Sequence, residues 1–94
     1  MEILHLNNDE DGIFKAKENG VTAGKMTYYW DNSRMVIDHT EVSDDFEGKG
    51  VGKLLVQAGI AYARENHIKI RPECPFARKY FEKHPEEKDV LVGS

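Results

Sequence analysis

Glu47-Gly48-Lys49-Gly50-Val51-Gly52 is the stretch on which the reading of this chain turns. Glycines repeated at every second position tolerate unusual dihedrals, allow another group to approach the backbone and leave a helix start free of side-chain obstruction. A helix should come next. Val51, Leu54, Leu55, Ala58, Ala61 and Tyr62 recur at helical spacing and form one apolar stripe, while Lys53, Gln57, Arg64 and Glu65 point mostly elsewhere. The spacing predicts a helix over residues 49–65, in which Gly59 marks close packing. The unpaired amides of its first turn are suited to phosphate oxygens, and Lys49 adds positive charge. A phosphate loop ending in Gly-Lys-Ser/Thr is excluded because Leu54 comes after Gly52-Lys53, and a dinucleotide fingerprint would need glycine where Lys53 stands. The turn reads as a pyrophosphate cradle, with a merely structural turn as the competing reading.

Upstream of it the chain reads as an antiparallel meander. Strands are expected over residues 1–6, 13–17, 21–30 and 34–42, separated by the polar run Asn7 to Gly12, by Asn19-Gly20 and by Asp31-Asn32-Ser33. The Asn-Gly pair favours the positive dihedrals of a tight hairpin. The run Met26-Thr27-Tyr28-Tyr29-Trp30 is nearly unbroken in apolar and aromatic character, so a helix should cover at least one face of the sheet. Downstream, Ile68-Lys69-Ile70 reads as a short central strand. A second helix should start at Pro75 and end near His84, before Pro85, with Phe76, Tyr80 and Phe81 on its apolar face. Residues 90–92 suggest a last edge strand.

Composition bounds the function. Ninety-four residues allow one domain and one core, and 39 % hydrophobic with 32 % charged residues is the balance of a globular chain. A formal charge of -4 gives no support to a general nucleic-acid-binding surface. Cys74 is the only cysteine, which excludes an internal disulfide framework and a thiolate metal cluster and points to a reducing, cytoplasmic compartment. No window approaches the ~20 apolar residues of a membrane helix. His5, His39, His67 and His84 lack a compact metal-binding spacing.

The run over residues 42–55 resembles the coenzyme-binding motif of the general-control-related N-acetyltransferase superfamily, commonly called GNAT, whose pattern is Gln/Arg-x-x-Gly-x-Gly/Ala. Glu47, Gly50 and Gly52 fall on its defined positions, with Glu47 standing where Gln or Arg is usual. Cys74-Pro75-Phe76-Ala77 and Phe81-Glu82-Lys83 are similar to the family's later Asn-x-x-Ala and Tyr-Glu-Lys segment, with Cys74 in place of the Asn and Phe81 in place of the Tyr. The likeness is to a small, abbreviated branch that carries a cysteine near the active site. It implies an α+β, three-layer α/β/α architecture with an antiparallel meander and a central parallel strand pair, residues 34–42 beside 68–71. It also implies an acetyl-CoA or coenzyme A site in which Val42, Glu47, Gly48, Lys49, Gly50, Val51 and Gly52 bind the cofactor. The partners are then an acyl-CoA and an unidentified small or peptidic amine, with a noncatalytic acyl-CoA-binding or protein-interaction module as the alternative.

Three residues are candidates for the chemistry. Cys74 directly precedes a proline-started helix whose amides favour a thiolate, which suits an acyl-cysteine intermediate, a thiol lining the acyl pocket or a small buried hydrophobe. His39 is suited to accept a proton from an amine or to activate Cys74, and the plain alternative is a satisfied histidine at a sheet edge. Strand alternation puts Glu41 on the face of His39, as its orienting or proton-accepting partner. Arg71, Arg78 and Lys79 read as solvated charges ahead of phosphate ligands, and Tyr80, one position from the replaced Tyr, reads as packing.

Overall fold

Asn19 and Gly20, at φ 51° and 81°, make the tight hairpin expected of that pair, and Asn32 with Ser33 repeats it at 51° and 67°. The computed structural model describes residues 1–93. These turns fold β1 (Glu2–Asn7), β2 (Asp11–Glu18), β3 (Val21–Asp31) and β4 (Arg34–Val42) into an antiparallel meander. At the first bend the Asn8 side chain accepts from the amides of Glu10 and Asp11 at 2.8 and 2.9 Å. The bend is therefore three residues long, and β2 starts earlier than its apolar residues indicate.

After β4 come a 3-10 turn (Asp44–Phe46), helix α1 (Val51–Glu65), strand β5 (Ile70–Pro72), helix α2 (Pro75–Lys83) and a second 3-10 segment (Pro85–Val90). β5 joins the sheet parallel to β4, with Met35, Val36 and Ile37 opposite Ile70, Arg71 and Pro72. It lies two residues beyond the start expected for it, because Met35 donates to the Lys69 carbonyl and thereby sets the register. The expected last strand shrinks to one parallel bridge, Ile70 to Leu91, on the far side of β5. Pro85 supplies no amide and the chain coils into 3-10 turns instead. Arg64 holds that coil to α1 through Glu87 and Asp89.

A single apolar cluster takes Phe14, Met26, Tyr28 and Ile37 from the sheet, Leu55, Val56 and Ile60 from α1, and Ala77 and Phe81 from α2. The buried face of α1 runs through Val51, Gly52, Leu55, Val56, Gly59, Ile60 and Ala63. This corrects the expected stripe, since Leu54 is 39 % exposed and Ala61 faces solvent. Glycines carry no hydrophobic signal, yet Gly59 is where the helix meets the sheet: a Cβ there would lie 3.0 Å from Met26 Cε. Close packing at Gly59 is as the sequence reading has it.

One irregularity in β4 sets which way its last residues face. Tyr28 pairs with Ile37 and Thr27 with His39, so Asp38 is an extra residue in the strand, its carboxylate accepting from the Thr27 hydroxyl at 2.7 Å. The bulge shifts the alternation of side chains by one.

Candidate functional site

The glycine turn is shaped by two separate requirements. Gly48 and Gly50 have φ of 78° and 76°, in the left-handed region, and a Cβ on either would meet nothing within 4 Å. Their glycines serve the backbone path. Gly52 has helical dihedrals but no room, since a Cβ would fall 2.5 Å from Phe76 Cζ on α2. Gly50 caps α1, which therefore starts two residues later than the periodicity suggests.

No side chain caps α1, and the first hydrogen bond into it runs from the Leu54 amide to the Gly50 carbonyl at 3.1 Å. The amides of Val51, Gly52 and Lys53 thus precede the first intrahelical bond and are free for an external acceptor. Gly48, Lys49 and Gly50 are exposed, and Lys49 Nζ sits 5.4 Å from the Phe46 ring centroid. Glu47 terminates the 3-10 turn, its amide donating to the Asp44 carbonyl. Val42 ends β4 and shares an open recess of about 410 Å³ with Gly24, Lys25, Glu41, Ser43 and Asp44.

β4 and β5 part immediately after Ile37. Its carbonyl accepts from both Glu73 and Cys74, at 2.9 and 3.0 Å, and the chain then turns into α2 while β4 runs on to Val42. Past this point β4 has no sheet partner on that side. Cys74 stands at the fork as the N-cap of α2, buried, its Sγ accepting from the Ala77 amide at 3.4 Å and lying 3.4 Å from Thr40 Oγ1.

The partner of Cys74 on β4 is therefore Thr40, a residue that sequence reasoning passed over. Thr40 and Val42 pair with Met26 and Gly24, whose side is covered by Val51 and Leu55 of α1. His39 and Glu41 pair with Thr27 and Lys25 and point to the opposite side of the sheet. They lie 3.5 Å apart there, with side chains 59 % and 53 % exposed. The structure brings those two together but does not bring either to Cys74. Lys25 meets Glu41 at 3.1 Å, and that contact, with the one to His39 second, holds the Glu41 carboxyl below its usual range. The signal in the sequence is faint: without the bulge at Asp38, His39 would share the side of Ile37.

Other candidates have structural duties. Arg71 pairs with Asp31 at 3.2 Å, Arg78 donates to the carbonyls of Pro72 and Glu73, and Tyr80 is buried against Phe81 and His84. No helix among the described residues is long and apolar enough to cross a membrane.

Comparison with known proteins places this geometry. Residues 13–90 match the family described as GCN5-related N-acetyl-transferase. Protein NATD1 of Xenopus tropicalis is 30% identical over 74 residues, which are 77% of this chain and 68% of that one. A GCN5-like protein from Staphylococcus aureus, solved in solution by NMR, is 37% identical with a TM-score of 0.69 and covers 97% of this chain and 89% of its own. The aminoglycoside N-acetyltransferase AAC(6')-Iy, solved in complex with CoA, has a TM-score of 0.61 at 18% identity, over 81% of this chain and 67% of that one. The shared fold is the α+β, three-layer GNAT-like one, with a mixed sheet whose β4–β5 pair is parallel and helices packed on it. A family match spanning both the uncapped glycine turn and the Cys74 fork leaves one assignment: the chain belongs to the GCN5-related N-acetyltransferase family.

Proposed function

We propose that this chain is an acetyl-CoA-dependent N-acetyltransferase acting on a small or peptidic amine. The observation that carries the reading is the uncapped, glycine-led start of α1 at the end of a strand whose next neighbour has just parted from it. Amides without internal partners at a helix start suit a pyrophosphate. Open space over Gly48 and Gly50 admits it, and Lys49 supplies charge. The free edge of β4 beyond Ile37 offers backbone groups to an extended, amide-bearing arm, as an added strand would use them. These residues fit coenzyme A. The CoA complex of AAC(6')-Iy, which has this fold, is in keeping with that cofactor.

When bound, acetyl-CoA supplies the acyl group as a thioester. A neutral amine attacks the carbonyl carbon, the C–N bond forms as the C–S bond breaks, the amine releases a proton and the departing thiolate takes one up. Backbone amides at the free β4 edge stabilise the developing oxyanion. His39, exposed on the other side of the sheet, is the proton acceptor for an amine arriving from that side. Glu41, held ionised by Lys25, is too weak a base near neutrality and orients His39 instead. The separation of Cys74 from His39 favours direct transfer, with Cys74 lining the acyl end of the fork beside Thr40.

Native mass spectrometry with acetyl-CoA, and then an amine panel, tests this. Retained CoA together with acetylated amine, preserved in Cys74→Ser, supports direct transfer. A covalent acetyl adduct absent from that variant supports the cysteine route. Binding without transfer indicates the noncatalytic module, and absence of CoA binding overturns the whole reading.

A further inference from the structure

On the side of the sheet that His39 faces, the surface dips into an open recess of about 380 Å³, lined among others by Leu6, Asp11, Ile13, Thr27, Tyr29 and Asp38. Strand pairing gathers them. Leu6 and Thr27 both pair with Ile13, Asp11 pairs with Tyr29, and Thr27 pairs with His39, so the recess and His39 share one side of the sheet. Its floor is apolar and open: Leu6, Ile13 and Tyr29 lie outside the apolar cluster that the helices cover, and Leu6 is 60 % exposed. Its charge has one sign. Asp11 and Asp38 are exposed, no lysine, arginine or histidine lines the recess, and among the described residues neither carboxylate has a cationic partner. Asp38 accepts from the Thr27 hydroxyl at 2.7 Å. The cations on the same side are engaged or lie beyond it: Lys25 meets Glu41 at 3.1 Å, Arg71 meets Asp31 at 3.2 Å, and Lys15 follows Ile13 outside the recess. An apolar floor between uncompensated carboxylates suits an aliphatic stem that ends in a cation, with the face of a tyrosine ring as a further acceptor of the charge.

We propose that this recess selects the acceptor, and that the acceptor is a short aliphatic diamine. One ammonium group sits between Asp11 and Asp38 with its methylenes along Ile13 and Tyr29, and the other nitrogen, neutral, reaches the side of His39. The inference rests on the N-acetyltransferase function proposed for this chain and narrows its amine to one with a second positive charge. The spacing is that of such a molecule. Asp38 directly precedes His39, and Asp11 lies on β2, two strands from β4, about 10 Å across the sheet. The transfer itself is unchanged: the neutral nitrogen takes the acetyl group from the thioester and loses one proton, while the held ammonium keeps all of its own.

The test compares cadaverine with n-pentylamine, which has the same carbon chain and one cation fewer. With acetyl-CoA, wild type should show a kcat/KM for cadaverine about fivefold above that for n-pentylamine, the scale of one ammonium met by two exposed carboxylates. Amide NMR of the intact chain should show cadaverine, but not n-pentylamine, moving the signals of Asp11, Tyr29 and Asp38. Asp11→Asn with Asp38→Asn, which keeps an acceptor for the Thr27 hydroxyl, should erase both the preference and those shifts. Glu65→Gln with Glu82→Gln on the helices makes the same change of net charge away from the recess and should leave them intact. Equal kcat/KM for the two amines, or a preference that survives the aspartate double variant, overturns the inference while leaving the acetyltransferase reading standing. Absence of acetyl transfer to every amine of a broad panel overturns both.

Discussion

Phe76 and Gly52 are in such close apposition that a single added carbon on Gly52 would fall 2.5 Å from the Phe76 ring. This contact ties the start of α1 to the start of α2, and with it the glycine turn to the Cys74 fork. Gly52 belongs to the family pattern by position, but here its side is occupied by an aromatic ring. The atom met is the tip of a ring that is 42 % exposed and can swing aside, so the displacement of Phe76 offsets the helix-propensity gain of about 1 kcal/mol and Gly52→Ala should change stability by less than that. Adding Phe76→Leu should release the rest of the gain, read as the urea midpoint of the double variant against both single ones. Strictly additive effects would mean that the two helices do not couple there.

Gly50 responds by a different mechanism. Its Cβ would be unobstructed, so Gly50→Ala is penalised only by the positive φ, about 1–2 kcal/mol. Gly50→Asn, which tolerates the left-handed region, should lose less than Gly50→Ala in the same denaturation series.

Cys74 caps α2 whatever its part in catalysis. Cys74→Ala removes the acceptor of the Ala77 amide and the partner of Thr40, and should cost about 1 kcal/mol. Cys74→Ser keeps an acceptor and should stay closer to wild type. Amide exchange at Ala77 checks this, and equal protection in both variants would dismiss the cap.

His5 gives stability a pH dependence. It stacks on Phe14 at 4.0 Å and bonds the Tyr28 hydroxyl, and burial lowers its pKa from the ordinary 6.5. The unfolded chain then binds more protons than the folded one between the two values. The contribution is complete above 6.5 and declines as pH falls through the folded value. His5→Phe should flatten the change in urea midpoint between about pH 7.5 and pH 5.

Glu41 behaves in the same sense at lower pH. Its carboxyl, held down chiefly by Lys25, contributes above its ordinary 4.5 and loses that contribution as pH falls through the depressed folded value. Carboxyl-carbon NMR should show Lys25→Ala moving the Glu41 titration upward toward 4.5, whereas an unmoved curve would remove the ion pair as its cause.

Much of the fold is local and hence legible in the chain. Asn19-Gly20 dictates a hairpin through its dihedrals, Pro75 and Pro85 bracket α2, and β4 has the bounds that its apolar run suggests. The face of α1 was less legible, because Gly52 and Gly59 are its closest contacts and hydrophobic periodicity does not register glycine.

The residues alone determined an α+β meander leading into a glycine-started helix, since turn dihedrals, proline and helix-start amides act within a few positions of one another. Only the tertiary structure decided which side of the sheet each candidate faces. One extra residue at Asp38 turns His39 and Glu41 away and brings Thr40 to Cys74, because strand alternation has period two and a single inserted residue inverts everything beyond it. Likewise only packing joined Lys53 of α1 to Lys79 and Lys83 of α2 around Phe76, since the recess they line depends on the two helices meeting at a position with no side chain.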